Sequence, residues 1–143
     1  MGRIYADLAQ EIDARRPVCA ISGRCCRFEE YGHRLFVTTI ELAVFVHEFE
    51  ASAPSPEMAE NISRWGGTGC PFQVGKLCGV HSIRPLGCRM FFCDPTSTEW
   101  QNSQYEQFHA RLKQAHEELG VSYAYVEWRK ALEMLGLAVA TNR

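Results

Sequence analysis

Seven cysteines in 143 residues fall into two blocks. The first is Cys19-x5-Cys25-Cys26. The second is Cys70-Pro71-x6-Cys78-x2-His81-x6-Cys88-Arg89-x3-Cys93, and the 43 residues between the blocks contain no cysteine. Thiolates are soft, strongly donating ligands for zinc and for the irons of a cluster, and a metal readily closes a site written in two distant short segments. Disulfides or separately buried thiols would not require such tight grouping, and adjacent Cys25-Cys26 suits a ligand turn better than either.

The ligand count bears on nuclearity. One structural zinc is satisfied by four ligands, whereas this chain offers eight when His81 joins the cysteines. Two tetrahedral zinc sites could share the blocks, or four thiolates could hold an iron–sulfur cluster while the others pack around it. Neighbouring cysteines chelate separate irons of a cluster, or two metals, more readily than one small ion. His81 follows Cys78 by three residues, compatible with a shared ligand turn. His33, His47, His109 and His116 stand apart from the cysteines and read as surface histidines.

Charge narrows the partners. Fifteen basic and seventeen acidic side chains give a net charge of −2, which supplies no overall field for nucleic acid or an anionic membrane. Twelve of the fifteen cations are arginines. Arg15, Arg16, Arg24, Arg27, Arg34, Arg84 and Arg89 lie close in sequence to a cysteine block. A thiolate-rich centre is anionic, so Arg84 and Arg89, flanking Cys88, are expected to offset its charge from outside the ligand set. The opening residues run straight into an amphipathic pattern rather than a secretory leader, Ala6 spoils a myristoylation signal at Gly2, and no apolar run approaches membrane-spanning length. The expected setting is a reducing cytoplasm, where an odd number of clustered cysteines reads as metal ligands or redox groups.

The elements that position these residues read as a single, mainly α domain over 1–143, with about five helices and a small turn- and hairpin-rich cysteine segment. Ile4, Leu8 and Ile12 mark a helix ending before Pro17. Leu35-Phe36-Val37 is a short extended stretch. Thr38-x-x-Glu41 is a capping box ahead of Leu42, Phe45, Val46 and Phe49. Ser55-Pro56-Glu57 starts a helix carrying Met58, Ile62 and Trp65, which Gly66-Gly67 stops. Val74-Gly75-Lys76 predicts a tight hairpin and Arg84-Pro85-Leu86-Gly87 a further turn. Asp94-Pro95 opens a long helix with Tyr105, Phe108, Leu112, Ala115 and Leu119 on one face, capped by Gly120. Ser122 is read as the start of a last helix with Tyr125, Trp128, Leu132 and Leu135 inward.

Taken in order, Cys-x5-Cys-Cys-Arg, Thr-x-x-Glu, Cys-Pro-Phe, Cys-x2-His, Arg-Pro-x2-Cys-Arg-x-Phe and a last Cys resemble the bacterial cysteine-cluster family named for its Cys-x2-Cys-x2-Cys-Cys motif, a zinc- or iron-chelating domain. The resemblance runs from Cys19 to Cys93 and extends to the cysteine-rich part of flagellin lysine N-methylases, which implies an iron–sulfur cluster. The family's second cysteine falls on Ser22 here, and a hydroxyl is a poor ligand for soft metals. The expected ligands are Cys25, Cys26, Cys70, Cys78, Cys88 and Cys93, with Cys19 and His81 as further candidates. Three functions follow: a metal-binding domain, a cluster-dependent methyl-transfer or redox enzyme, and a zinc-stapled adapter for a protein partner. The absence of a Gly-x-Gly-x2-Gly loop and the short chain argue against a self-contained methyltransferase.

Overall fold

The computed structural model describes residues 1–17, 34–52, 54–66, 69–92 and 95–135. Cys19, Ser22, Arg24, Cys25, Cys26, Arg27, His33, Gly67, Cys93 and Asp94 lie outside the described residues, so the expectations placed on them have no structural counterpart below.

Among the described residues the protein is α-rich, with six α-helices and two small antiparallel sheets. Helix α1 (Gly2–Arg15) buries Ile4 and Leu8 along the predicted stripe. Strand β1 (Phe36–Thr38) leads into α2 (Thr39–Ala51), whose start is the expected capping box: Thr38 Oγ1 accepts from Glu41 N at 3.4 Å, and Glu41 Oε2 accepts from Thr38 N at 2.9 Å. In α3 (Pro56–Arg64), Ser55 caps through Met58 N. This helix stops earlier than the paired glycines suggest, with Trp65 as its extended C-cap and its indole buried.

Strands β2 (Gln73–Val74) and β3 (Leu77–Cys78) form the expected hairpin, in which Gly75 supplies the left-handed φ of 63° that a tight turn needs. After a 3₁₀ turn at His81–Ile83 comes α4 (Leu86–Arg89), a single helical turn where the sequence predicted a non-helical turn. Pro85 precedes its first residue and is pre-organised for helix entry. A 3₁₀ turn at Pro95–Ser97 then precedes α5 (Thr98–Leu119), capped by Gly120 in the left-handed region. Phe108 and Leu112 face the core, but Leu119 is exposed.

The expected last helix divides. Tyr125–Glu127 is strand β4, paired antiparallel with β1 in the register Phe36↔Glu127, Val37↔Val126 and Thr38↔Tyr125. Only Trp128–Met134 is helical (α6), capped by the Glu127 side chain on Lys130 N. Tyr125 and Val126 are aromatic and β-branched residues that suit a strand, and Tyr125 stacks on Phe36 with ring centroids 5.0 Å apart. Tyr125 and Leu135 are therefore exposed rather than inward.

Two clusters hold these elements. One gathers Leu35, Val37, Phe45, Met58, Trp65, Phe72, Val80, Trp128, Ala131 and Leu132. The other gathers Ile4, Leu8, Leu86, Met90, Phe108 and Leu112. Among the described residues no helix is long and apolar enough to cross a membrane.

Candidate functional site

The second cysteine block is fastened to the fold backbone group by backbone group. Trp65 Nε1 donates to Gly69 O at 3.1 Å, immediately before Cys70. Gln73 N donates to Cys70 O at 3.3 Å, and Asn61 Nδ2 to Gln73 O at 3.1 Å, tying the hairpin to α3. Gly79 N donates to Phe72 O at 2.8 Å, and a Cβ at position 79 would stand only 2.8 Å from that same oxygen. Glycine is thus required beside Cys78 by close approach of backbone. Cys70, Cys78 and Cys88 are half-buried thiols, none in a disulfide, and all three pack against the aromatic cluster.

The segment carrying Cys88 is fixed by Glu41. Its carboxylate lies at 3% exposure and accepts from three elements: Thr38 N at the start of α2, Leu86 N at 2.7 Å at the start of α4, and the Tyr5 hydroxyl of α1 at 3.3 Å. One acid caps two helices. Burial raises the Glu41 pKa, while the hydrogen bonds from Thr38, Leu86 and Tyr5 pull it back down. Burial also pushes the Tyr5 phenol far upward, reinforced by the Glu41 charge, so Tyr5 stays protonated and donates. The capping box was legible in the sequence; the second cap and the role of Tyr5 were not, because both join positions distant in the chain.

Arg84 and Arg89 lace the turn around Cys88. Arg84 donates from Nε to His81 O at 3.0 Å and from Nη1 to Cys88 O at 3.3 Å. Arg89 donates from Nε to Arg84 O and from Nη2 to Ser82 O at 3.0 Å, and its guanidinium lies 3.9 Å from the centre of the Tyr5 ring. These donors engage backbone carbonyls. The Arg89 charge is nonetheless close enough to Cys88 to interact with it. His81 is exposed on its 3₁₀ turn, and the positive charge of Arg84 leads the effects that lower its pKa, followed by burial and Arg89.

Among the described residues, no three His, Cys, Asp or Glu side chains converge in a way that could hold a metal ion. Cys70, Cys78 and Cys88 each pack on the aromatic cluster, but among the described residues they do not gather into a group that could hold a metal. Of the other histidines, His47 is exposed, His109 half-buried and His116 buried. The surface reading of His116 is therefore corrected: Nε2 accepts from Ile40 N at 3.1 Å, and Nδ1 lies 2.7 Å from Leu112 O, so a core position is fully satisfied.

No family model, curated protein or solved structure matches the chain.

Proposed function

We propose that the chain is a thiolate metal-binding domain in which Cys25, Cys26, Cys70, Cys78, Cys88 and Cys93 supply most ligands, with Cys19 and His81 as further donors, around zinc or an iron–sulfur cluster. The observation that carries this reading is the second block. Three thiols spread over nineteen positions, Cys70 to Cys88, are half-buried against one cluster by a backbone-tied hairpin and a helical turn doubly held through Glu41 and Arg84. Turns give convergent side chains and leave backbone N–H groups available to thiolate sulfur. The donor chemistry suits soft metals, and the first block carries the complementary thiols. The resemblance to the cysteine-cluster family supports the same assignment, and a reducing compartment is the setting it requires.

Anaerobic purification followed by metal and labile-sulfide analysis tests the proposal. Equal iron and sulfide with a broad visible absorption identifies a cluster; colourless protein with zinc identifies a structural site. Cys70→Ser, Cys78→Ser and Cys88→Ser should each lose the metal, Cys19→Ser should retain more of it, and chelation should lower the melting temperature because metal and folding are coupled. Protein that takes up neither zinc nor iron and sulfide under reducing conditions, with an unaltered melting curve, overturns the proposal.

A further inference from the structure

Beside the cysteine segment, α1 and the 81–89 turn flank an open cavity of about 230 Å³ whose polar wall includes His81, Arg84, Arg89 and Asp13. A larger space of about 510 Å³ adjoins it, and Tyr5, Ala9, Ser82 and Arg89 line both. Its far wall is mostly apolar, with Ala6, Val44 and Ile83 beside the N-terminal Met1 and the exposed Glu48. The cleft thus carries two arginines against one carboxylate at one end and a mostly apolar wall at the other.

The guanidinium groups have the marks of a prepared receptor. Each is held in place by two hydrogen bonds to backbone carbonyls, which leaves Nη2 of Arg84 and Nη1 of Arg89 with no hydrogen bond spent. Neither forms an ion pair with a carboxylate among the described residues. Asp13 lines the smaller cavity and Glu48 the larger, both from exposed positions. Arg89 is half-buried. Two half-buried, immobilised cations with unspent donors match the planar fork that a carboxylate or phosphate accepts.

We infer that this cleft binds a small organic anion, its oxyanion head on Arg84 and Arg89 beside His81 and its apolar body along Ala6, Val44 and Ile83. The inference does not require a metal, but it shares His81 with the metal-binding proposal as a candidate donor, and Arg84 and Arg89 flank Cys88, so metal content is measured beside anion binding. A carboxylate and a phosphate ester share the head chemistry, and the probes below distinguish them.

Calorimetric titration of the purified, metal-loaded protein with hexanoate, inorganic phosphate and hexanol tests the inference. Hexanoate should bind saturably, hexanol should not, and phosphate should bind more weakly than hexanoate because it leaves the apolar end empty. Arg84→Gln should weaken hexanoate about tenfold or more, as loss of a charge-assisted contact does. Arg84→Lys, which keeps the charge without the fork, should weaken it less. Val44→Trp leaves both arginines intact and fills the apolar end, so it should abolish the advantage of hexanoate over phosphate. Arg64→Gln, at an exposed pair with Glu60, is the control and should change nothing. No saturable hexanoate binding, or equal affinity in the Arg84→Gln protein, overturns the inference. Phosphate binding as tightly as hexanoate overturns the apolar half and leaves a phosphate site. The metal content of each variant separates these outcomes from failure of the thiolate site.

Discussion

The two hydrophobic clusters are built differently. The cluster under the cysteines is aromatic: Phe45 meets Trp128 edge-on at 5.0 Å, Phe72 at 5.2 Å and Phe49 at 5.8 Å. The cluster between α1 and α5 is mostly aliphatic, with Leu8 and Leu112 fully buried. Rings fix their neighbours through directional contacts, whereas aliphatic side chains chiefly fill volume. The three described thiols rest on the aromatic side. The single turn α4 belongs to both, since Cys88 packs on the aromatic cluster while Leu86 and Met90 enter the aliphatic one. One cluster carries the three described thiols, and the other anchors the helices that hold their segment in place.

That division can be broken on either side. Phe72→Ala should cost about 4 kcal/mol and Leu112→Ala about 3 kcal/mol, both measured by denaturant unfolding of the metal-loaded protein. The comparison lies in the metal: at permissive temperature Phe72→Ala should lose affinity for it, while Leu112→Ala should keep its stoichiometry. Equal loss in both would erase the distinction between the clusters.

Glu41 joins the two halves, and its removal comes next in size. Glu41→Ala leaves the buried amides of Thr38 and Leu86 without an acceptor, at about 1–3 kcal/mol each, so a total near 3 kcal/mol is expected from unfolding curves. Cys88 should also become more reactive toward a thiol reagent as α4 loosens, while Cys70 should not. Parallel increases at both cysteines would mean that α4 is not held separately.

Gly79→Ala probes the aromatic side alone. The added methyl meets Phe72 O, so the hairpin must shift, at about 1–3 kcal/mol. Weaker metal binding is expected with little change in the packing of α1 on α5, as read by hydrogen exchange. Unaltered metal affinity would show that Cys78 does not depend on its neighbour's close approach.

The smallest effect is a pH dependence. The Glu41 pKa is raised by folding, so its contribution is fully present below the ordinary glutamate value and is lost as pH rises through the folded value. The stability difference between the wild-type protein and Glu41→Gln should therefore be largest in acid and shrink toward neutrality. Paired unfolding curves for both proteins across that window check the sign, and a difference that grows with pH refutes it.

Much of this architecture was legible in local sequence. Ile4-Leu8-Ile12, the Thr38 capping box, Ser55-Pro56 and Gly120 each act within a few residues, and α1, α2, α3 and α5 appear where they point. The hairpin was equally local, because Gly75 fixes the turn. What escaped depends on distant partners. Residues 125–127 become a strand because β1 offers an edge, and His116 is buried because Ile40 N needs an acceptor. Likewise the turn after Arg84-Pro85 winds into a helix at Leu86–Arg89 because Glu41 caps Leu86 N from α2. Within the candidate site, Cys70, Cys78 and Cys88 could be picked out by residue type, but the paths of Arg84 and Arg89 along backbone carbonyls could not, since arginine beside cysteine is compatible with either arrangement.

The β1–β4 pair has a kinetic consequence. Its strands lie at residues 36–38 and 125–127, so the small sheet closes only across most of the described chain. Trp128, directly after β4, completes the aromatic cluster on which the thiols rest. Contacts of such long sequence separation form late, because loop closure must precede them. On a ribosome adding about 5–20 residues per second, both cysteine blocks emerge several seconds before Trp128 does. For that interval the nascent chain carries its cysteines without the aromatic platform against which Cys70, Cys78 and Cys88 pack in the finished fold.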